Sequence, residues 1–172
     1  MARGIEQTKA TTGRSLRTTT ADLAGPVRPD RPLDPVLEFM RSLWGVNHGL
    51  ESTSRRMKTR FGVTGPERMV VRIVGRYPGV SAGELARILR VHPSTLTGLL
   101  KRLVGRGLLM RAVDAVDARR AVLTLTSKGA AVDEIRRGTV EAAVRTALSL
   151  LPERHVENAV SVLEGLIRAF ED

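Results

Sequence analysis

The apolar residues between positions 34 and 61 recur mostly every three or four residues, which is the spacing of a helix that buries one side. Asp34 and Pro35 suit the N-cap and the first helical position, and Gly62 follows the last apolar residue of the run. The pattern therefore predicts one long helix that begins at Pro35 and ends near Gly62. The residues that define its apolar side are Val36, Phe39, Met40, Leu43, Trp44, Leu50, Met57 and Phe61.

Three shorter helices are predicted downstream of this one. In two of them a hydroxyl residue precedes a glutamate by three positions, as Thr64 precedes Glu67 and Ser81 precedes Glu84, which is the capping box that begins many helices. The third is predicted from Pro93 to Arg106, after only a short turn. Two short helices joined in this way indicate a helix-turn-helix.

After that helix the period changes from helical to alternating. Residues 108–113 and 120–126 are short runs joined by charged and small residues, so they predict a two-stranded hairpin. From Ser127 the helical period returns and predicts one helix to about Leu151 and a last helix opened by Pro152. The predicted fold class is mainly α with a small β-hairpin wing, an α+β winged helix-turn-helix with four helices before the hairpin and two after it.

The helix predicted from Pro93 to Arg106 has two chemically different sides. Its apolar side consists of Leu96, Leu99, Leu100 and Leu103. The other side carries hydroxyls, a glycine and two cations but no acid, in Ser94, Thr95, Thr97, Gly98, Lys101 and Arg102. The major groove of B-DNA admits an α-helix, and a carboxylate on this side would face phosphates. We predict that the hydroxyl residues lie nearest the base edges and that the two cations reach phosphates or guanines.

The tip of the predicted hairpin is a second candidate DNA contact. Arg119 and Arg120 lie there beside Asp117. An arginine at such a tip can enter a narrow minor groove, where negative potential is concentrated. Asp117 would fold over the turn or pair with a neighbouring arginine and fix its direction. A solvated hairpin whose charges only aid solubility is the alternative interpretation of this segment taken alone.

The net charge of +10 is unevenly distributed along the chain. Residues 62–126 contain eleven lysines and arginines against four acidic residues, whereas residues 127–172 contain six against eight. A basic middle beside an acidic C-terminal part is typical of a polyanion-binding module attached to another element, although a solvated arginine-rich surface would have the same composition. Residues 1–31 are predicted to form a basic, mostly disordered arm.

The composition also excludes several classes of function. The chain has no cysteine, which excludes disulfides, cysteine-ligated zinc and thiol redox sensing. Aromatic residues make up only 3%, which argues against a module that stacks single-stranded bases on rings. No metal or cofactor is expected, and no nucleophile–base pair or phosphate loop predicts an enzyme. Because no apolar run approaches the ~18 residues that span a bilayer, we expect a cytoplasmic protein without a membrane partner.

Residues 81–129 resemble the DNA-binding core of the MarR family of bacterial transcriptional regulators. Five features carry the resemblance in order along the chain: ELA, STLTGLLKRL, GLLMR, DAR and LTLTSKG. A looser pattern extends over residues 34–172 and leaves the arm outside it. The resemblance implies a winged helix-turn-helix head at residues 62–126 and a helical dimerisation region made of residues 34–61 and 127–172.

Members of this family are homodimers that bind roughly palindromic sites on double-stranded DNA. Carried over by position, the resemblance implies that Arg119 enters the minor groove. The residues that it places on the major-groove side are Thr95, Thr97, Lys101 and Arg102. Members usually repress nearby genes, and many bind small aromatic or phenolic acids between the dimer platform and the heads.

A crevice for such an effector would be bordered here by Arg41, Trp44, His48 and Arg72. The alternative, which we favour, is that Trp44 belongs to the dimer core and that the arginines are solvated. The sequence as a whole predicts a dimeric, sequence-specific regulator that binds double-stranded DNA and acts as a repressor, with release by a small effector as a further hypothesis. A winged-helix architectural or protein-interaction module without a specific operator or ligand is the alternative.

Overall fold

The computed structural model describes residues 32–113 and 121–171. In chain order its elements are α1 (Pro35–Phe61), α2 (Gly65–Arg76), β1 (Val80–Ser81), α3 (Ala82–Leu89), α4 (Pro93–Gly105), β2 (Leu109–Val113), β3 (Ala121–Leu125), α5 (Ser127–Asp133), α6 (Val140–Leu148) and α7 (Glu153–Glu171). The chain divides after Met40 into two compact units. In the described part of the first unit, Asp34 Oδ1 accepts hydrogen bonds from the amides of Val36 (3.0 Å) and Leu37 (3.2 Å), so the predicted N-cap of α1 is confirmed.

Capping boxes set the starts of α2 and α3 in the second unit. Thr64 Oγ1 accepts a hydrogen bond from the Glu67 amide at 3.3 Å, and Glu67 Oε2 accepts one from the Thr64 amide at 3.0 Å. Ser81 and Glu84 make the same reciprocal pair at 3.3 and 2.9 Å. Each box satisfies two amides that the first helical turn leaves without partners, and both predicted boxes are confirmed.

The hairpin belongs to a three-stranded antiparallel sheet with the order β1-β3-β2. The predicted strands pair in the register Leu109↔Leu125 to Val113↔Ala121. The edge strand β1 consists of two residues, Val80 and Ser81, and pairs with β3. A strand this short has no alternation to detect, which is why sequence periodicity does not predict it.

The core of the second unit lies between α2, α3, α4 and the sheet. The four leucines of α4 are buried, as their spacing predicts. They pack with Val63, Val70, Val71, Val74, Val80, Leu85, Leu108, Leu109 and Leu123. Burial of one full leucine or valine side chain contributes about 1.5–3 kcal/mol, so this cluster is the main reason that α4 keeps a fixed outward side.

The region after β3 differs from the prediction of a single helix ending near Leu151. Two helices, α5 and α6, occupy it, because Gly138 adopts a left-handed conformation (φ 73°) and Thr139 begins α6. Thr139 Oγ1 accepts a hydrogen bond from the Ala142 amide at 3.2 Å. The apolar spacing widens to five positions between Ile135 and Val140, and the helical period on either side hides the break. Among the described residues, no helix is both long enough and apolar enough to cross a bilayer.

Candidate nucleic-acid interface

The outer face of α4 consists of Ser94, Thr95, Thr97, Gly98, Lys101 and Arg102. Gly98 is half-buried and the other five residues are exposed. No acidic residue occurs in the helix, whose opposite side is formed by the buried leucines. The structure therefore brings all six predicted α4 residues onto one accessible surface, and their contact with DNA stays a prediction.

A histidine caps the start of this helix. His92 Nδ1 accepts a hydrogen bond from the Ser94 amide at 3.3 Å and lies 2.7 Å from Ser94 Oγ. Because Nδ1 acts as the acceptor, the ring proton is assigned to Nε2 and the Ser94 hydroxyl donates to Nδ1. His92 is therefore the N-cap of α4.

Two of the three hydroxyl residues on the outer face, Ser94 and Thr97, already donate their hydroxyl protons to neighbouring protein atoms. The Ser94 hydroxyl donates to His92, and Thr97 Oγ1 donates to the carbonyl of Pro93 at 2.8 Å. Each oxygen keeps a lone pair, so in these conformations Ser94 and Thr97 can act as acceptors. Exocyclic amino groups of cytosine and adenine are the corresponding donors in the major groove.

A buried carboxylate lies behind the outer face. Glu67 is only 2% exposed and contacts three cations, Lys58 Nζ at 3.8 Å, Arg102 Nε at 3.3 Å and Arg106 Nη1 at 3.2 Å. We call these four residues the Glu67 cluster. Burial tends to raise the pKa of Glu67, but the hydrogen bond from the Thr64 amide and the charges of the three cations outweigh burial and hold the pKa below its ordinary value. Glu67 is therefore ionised at neutral pH.

A second buried charge joins α2 to the helices after the sheet. Arg68 is 2% exposed, and its Nε donates to Glu141 Oε1 at 2.9 Å. Its Nη atoms donate to the carbonyl of Val132, in the last turn of α5, and to that of Ile135, two residues after the helix. The C-terminal end of a helix favours a nearby cation, and a guanidinium has enough donors to bind several carbonyls there. Sequence reasoning missed Arg68, although an arginine directly before the apolar run of α2 was a visible signal.

The wing residues Asp117, Arg119 and Arg120 lie outside the described residues, and so does the predicted arm of residues 1–31. The two strands that lead into and out of the tip are described, and their pairing is regular from Leu109 to Val113. The hairpin on which the wing prediction depends is therefore present.

Comparison with known proteins identifies the family to which this chain belongs. The profile of the MarR family matches residues 61–120. The HTH-type transcriptional repressor Rv2887 of Mycobacterium tuberculosis is 30% identical over 106 residues, which make up 62% of this chain and 76% of that protein. The chain belongs to the MarR family. The predicted family and the prediction of a transcriptional regulator rather than an enzyme are thereby confirmed.

Solved MarR-like structures share the fold. The S. aureus MepR–DNA complex matches with a TM-score of 0.63 and 21% identity, over 77% of this chain and 97% of that one. Streptococcus pneumoniae FabT in complex with DNA matches with a TM-score of 0.58 and 23% identity, over 80% of this chain and 96% of that one. The predicted winged helix-turn-helix fold is confirmed.

Three residues of the predicted effector crevice of this MarR family chain, Arg41, Trp44 and His48, lie on α1, and the fourth, Arg72, lies on α2. Trp44 is 68% exposed, and Arg72 Nη1 pairs with Asp133 Oδ1 at 2.8 Å. A cavity of about 410 Å³ opens between α1, α2 and α6, and neither Arg41, Trp44, His48 nor Arg72 lines it. Its lining is largely apolar and includes Leu50, Pro66, Met69 and Val140. The crevice stays a prediction.

Proposed function

We propose that this MarR family protein is a dimeric, sequence-specific regulator that binds double-stranded DNA and represses genes beside its operator. The observation that carries the proposal is the acid-free outer face of α4. This face is accessible to solvent, whereas the opposite side of the helix consists of four buried leucines. A relative that is 30% identical is named a transcriptional repressor, which supports the direction of regulation. MepR and FabT, which share the fold, have been solved with DNA.

The dimensions of α4 suit the major groove. Its 13 residues extend over about 20 Å, and the groove is wide enough for an α-helix. In the proposed complex Ser94, Thr95 and Thr97 approach base edges from the N-terminal turns. Lys101 and Arg102 contact guanines or phosphates further along. Arg119 enters the minor groove from the wing, as the family resemblance implies. Arg120 lies beside it as a further DNA contact, and Asp117 orients the turn.

Dimerisation is proposed from apolar faces that one chain leaves uncovered. Among the described residues, α6 and α7 contain no buried side chain, and from Arg41 onward α1 contains only Met57. Exposed apolar side chains on these helices include Trp44, Leu50, Val144, Leu148, Val160, Leu163 and Ile167. A second copy that covers them would hold two copies of α4 at a fixed separation, as a palindromic operator requires. Release by a small aromatic or phenolic effector is the remaining part of the hypothesis.

Competition between DNA duplexes tests the proposal. A fluorescent duplex from the region upstream of the gene is bound, and then displaced by unlabelled duplex of the same or of shuffled sequence. We expect displacement by the shuffled duplex only at a large excess, together with a steep loss of affinity as salt rises, because several cations displace condensed counterions. Equal displacement by every duplex would instead support the architectural module.

Gly98→Ala is expected to change stability and operator affinity in opposite directions. A Cβ at this position would lie 3.6 Å from Arg102 Nη1, which is ordinary contact, and no positive φ is required. Alanine should therefore stabilise the helix by up to ~1 kcal/mol. If α4 lies close to the bases, the added methyl should nevertheless weaken operator binding about ten-fold, the order of one lost contact.

Gly105→Ala is the control for this prediction. It adds the same methyl two turns further along α4, where nothing lies within 4 Å of the new atom. Thermal denaturation and fluorescence titration of both variants give stability and affinity separately. Unchanged operator affinity for Gly98→Ala would show that this side of the helix stands away from the groove.

A further inference from the structure

We infer that Glu67 is a positioning residue for DNA recognition, because its carboxylate anchors the guanidinium of Arg102 on the outer face of α4. This inference rests on the proposed function, since it assigns to Arg102 a defined orientation within the DNA-binding surface. Glu67 lies on α2 and contributes nothing to that surface itself, being buried.

The contact engages one edge of the Arg102 side chain. Arg102 Nε donates to Glu67 Oε1 at 3.3 Å, and the side chain is still 58% exposed. Within residues 32–113 and 121–171, neither Nη atom of Arg102 has a hydrogen-bond partner. Nη1 lies over the same helix, 3.6 Å from where a Cβ of Gly98 would be. The guanidinium is thus held at its inner edge, and the Nη donors that bind a guanine or a phosphate stay available.

The Glu67 carboxylate is itself held in place by several other hydrogen-bond donors. Glu67 Oε2 accepts the Thr64 amide of the capping box at 3.0 Å, and Arg106 Nη1 contacts the same oxygen at 3.2 Å. Arg106 Nη2 also donates to the carbonyl of Gly62, at the end of α1. A carboxylate held in this way cannot follow Arg102 outward. Its effect is to restrict the arginine to few conformers before DNA arrives, which lowers the entropic cost of binding.

Loss of the Glu67 carboxylate is expected to change operator affinity in the direction opposite to the change that net charge alone would cause. Removing an acidic charge from a basic DNA-binding head should tighten binding to any duplex, because the attraction to phosphates increases. Removal of the Glu67 charge should weaken operator binding instead, because Arg102 loses its orientation. Three cations would also be left to repel one another, and Arg102 is the most exposed arginine of the cluster.

Glu67→Gln and Glu84→Gln are the matched variants for the test. Glutamine also serves at the third position of a capping box, so both variants keep their helix caps and each raises the net charge by one. Glu84 occupies in α3 the place that Glu67 occupies in α2. Fluorescence titrations with the operator duplex and with a shuffled duplex are made on the full chain, below the denaturation midpoint of each variant, with the active fraction set by stoichiometric titration.

We expect Glu67→Gln to bind the operator about ten-fold more weakly, which is the order of one oriented arginine contact, and to bind the shuffled duplex as well as or better than the wild type. Glu84→Gln should match or exceed the wild type on both. In an Arg102→Ala background the Glu67→Gln substitution should no longer weaken operator binding, since the loss acts through that side chain, and the added net charge should leave the affinity unchanged or slightly higher.

Three results would overturn the inference. Tighter operator binding by Glu67→Gln would show that Glu67 competes with DNA for Arg102. An undiminished loss in the Arg102→Ala background would show that Glu67 acts through the fold and not through this arginine. A wild-type protein that does not distinguish the operator from the shuffled duplex would overturn the proposed function and this inference with it, whereas the first two results leave the proposed function intact.

Discussion

Replacing Gly129 with alanine is expected to destabilise the head by at least about 2–3 kcal/mol, the upper range for forcing extra atoms into a packed site. A Cβ at Gly129 would lie 2.0 Å from the carbonyl oxygen and 3.0 Å from the carbonyl carbon of Leu108. Both are backbone atoms of the residue that precedes β2, so no side chain can turn aside to make room. With a typical stability of 5–15 kcal/mol, a loss of this size removes a large part of the total.

The neighbouring hydrogen bonds explain why α5 cannot move away. The Thr126 hydroxyl donates to the carbonyl of Gly107 at 2.6 Å, and its amide donates to that of Leu108 at 3.2 Å. Thr126 also caps α5, since its Oγ1 accepts the Gly129 amide at 3.0 Å. A shift large enough to accept a methyl at Gly129 would break these bonds together, and their loss adds to the steric cost.

Urea denaturation followed by circular dichroism measures the effect. Gly83→Ala is the control, because Gly83 lies in α3 and a Cβ there meets nothing within 4 Å. Gly83→Ala should leave the midpoint nearly unchanged or raise it slightly, whereas Gly129→Ala should lower it strongly. Similar midpoints for the two variants would mean that α5 packs less closely on the strand than the structure shows.

Much of the head follows from local sequence patterns. The capping pairs, the leucine spacing of α4 and the alternation of the two wing strands each depend on residues a few positions apart, and each is confirmed. The outer face of α4 is predictable for the same reason, since its composition and its position opposite the leucines are both local.

Interactions across long sequence separations were not predictable in this way. Glu67 meets Arg102 and Arg106 across two intervening elements, and no periodicity links them. Arg68 is an extreme example, because its guanidinium binds carbonyls of α5 and the carboxylate of Glu141, which lies 73 positions away. A buried arginine contradicts the usual preference for exposure, and only the fold shows its partners. The local pattern of α4 predicts that Arg102 contacts DNA, but it cannot predict that Arg102 also contacts Glu67.

Leu163→Asp is expected to convert the protein into a monomer and to reduce operator affinity by about a hundred-fold or more, since burying an unpaired charge costs several kcal/mol. Leu163 is 48% exposed in the single chain, so a charge there should cost that chain little. It belongs to an apolar stripe on α7 together with Val156, Val160 and Ile167. The expected effect thus arises only if a second copy covers the stripe.

The stability expected of α7 supports the proposal that a second copy covers its apolar stripe. Isolated helices of this length are marginal in water, and most helical stability in proteins comes from packing of an apolar side. In α7, residues 153–170 include no fully buried side chain. A 19-residue helix whose apolar stripe stayed in solvent would lack the interaction that usually maintains it. Pairing of two chains through this stripe would supply it.

Asn158→Asp provides the matched control, because it introduces the same charge on the polar side of α7, where the residue is exposed. Light scattering after size exclusion gives the mass of each variant, and titration with the operator gives its affinity. We expect Asn158→Asp to stay dimeric and to bind as the wild type does. A dimeric Leu163→Asp variant would place the interface elsewhere. A monomeric variant with full operator affinity would show that one head suffices for recognition, because two heads on one duplex gain affinity only while the dimer holds them together.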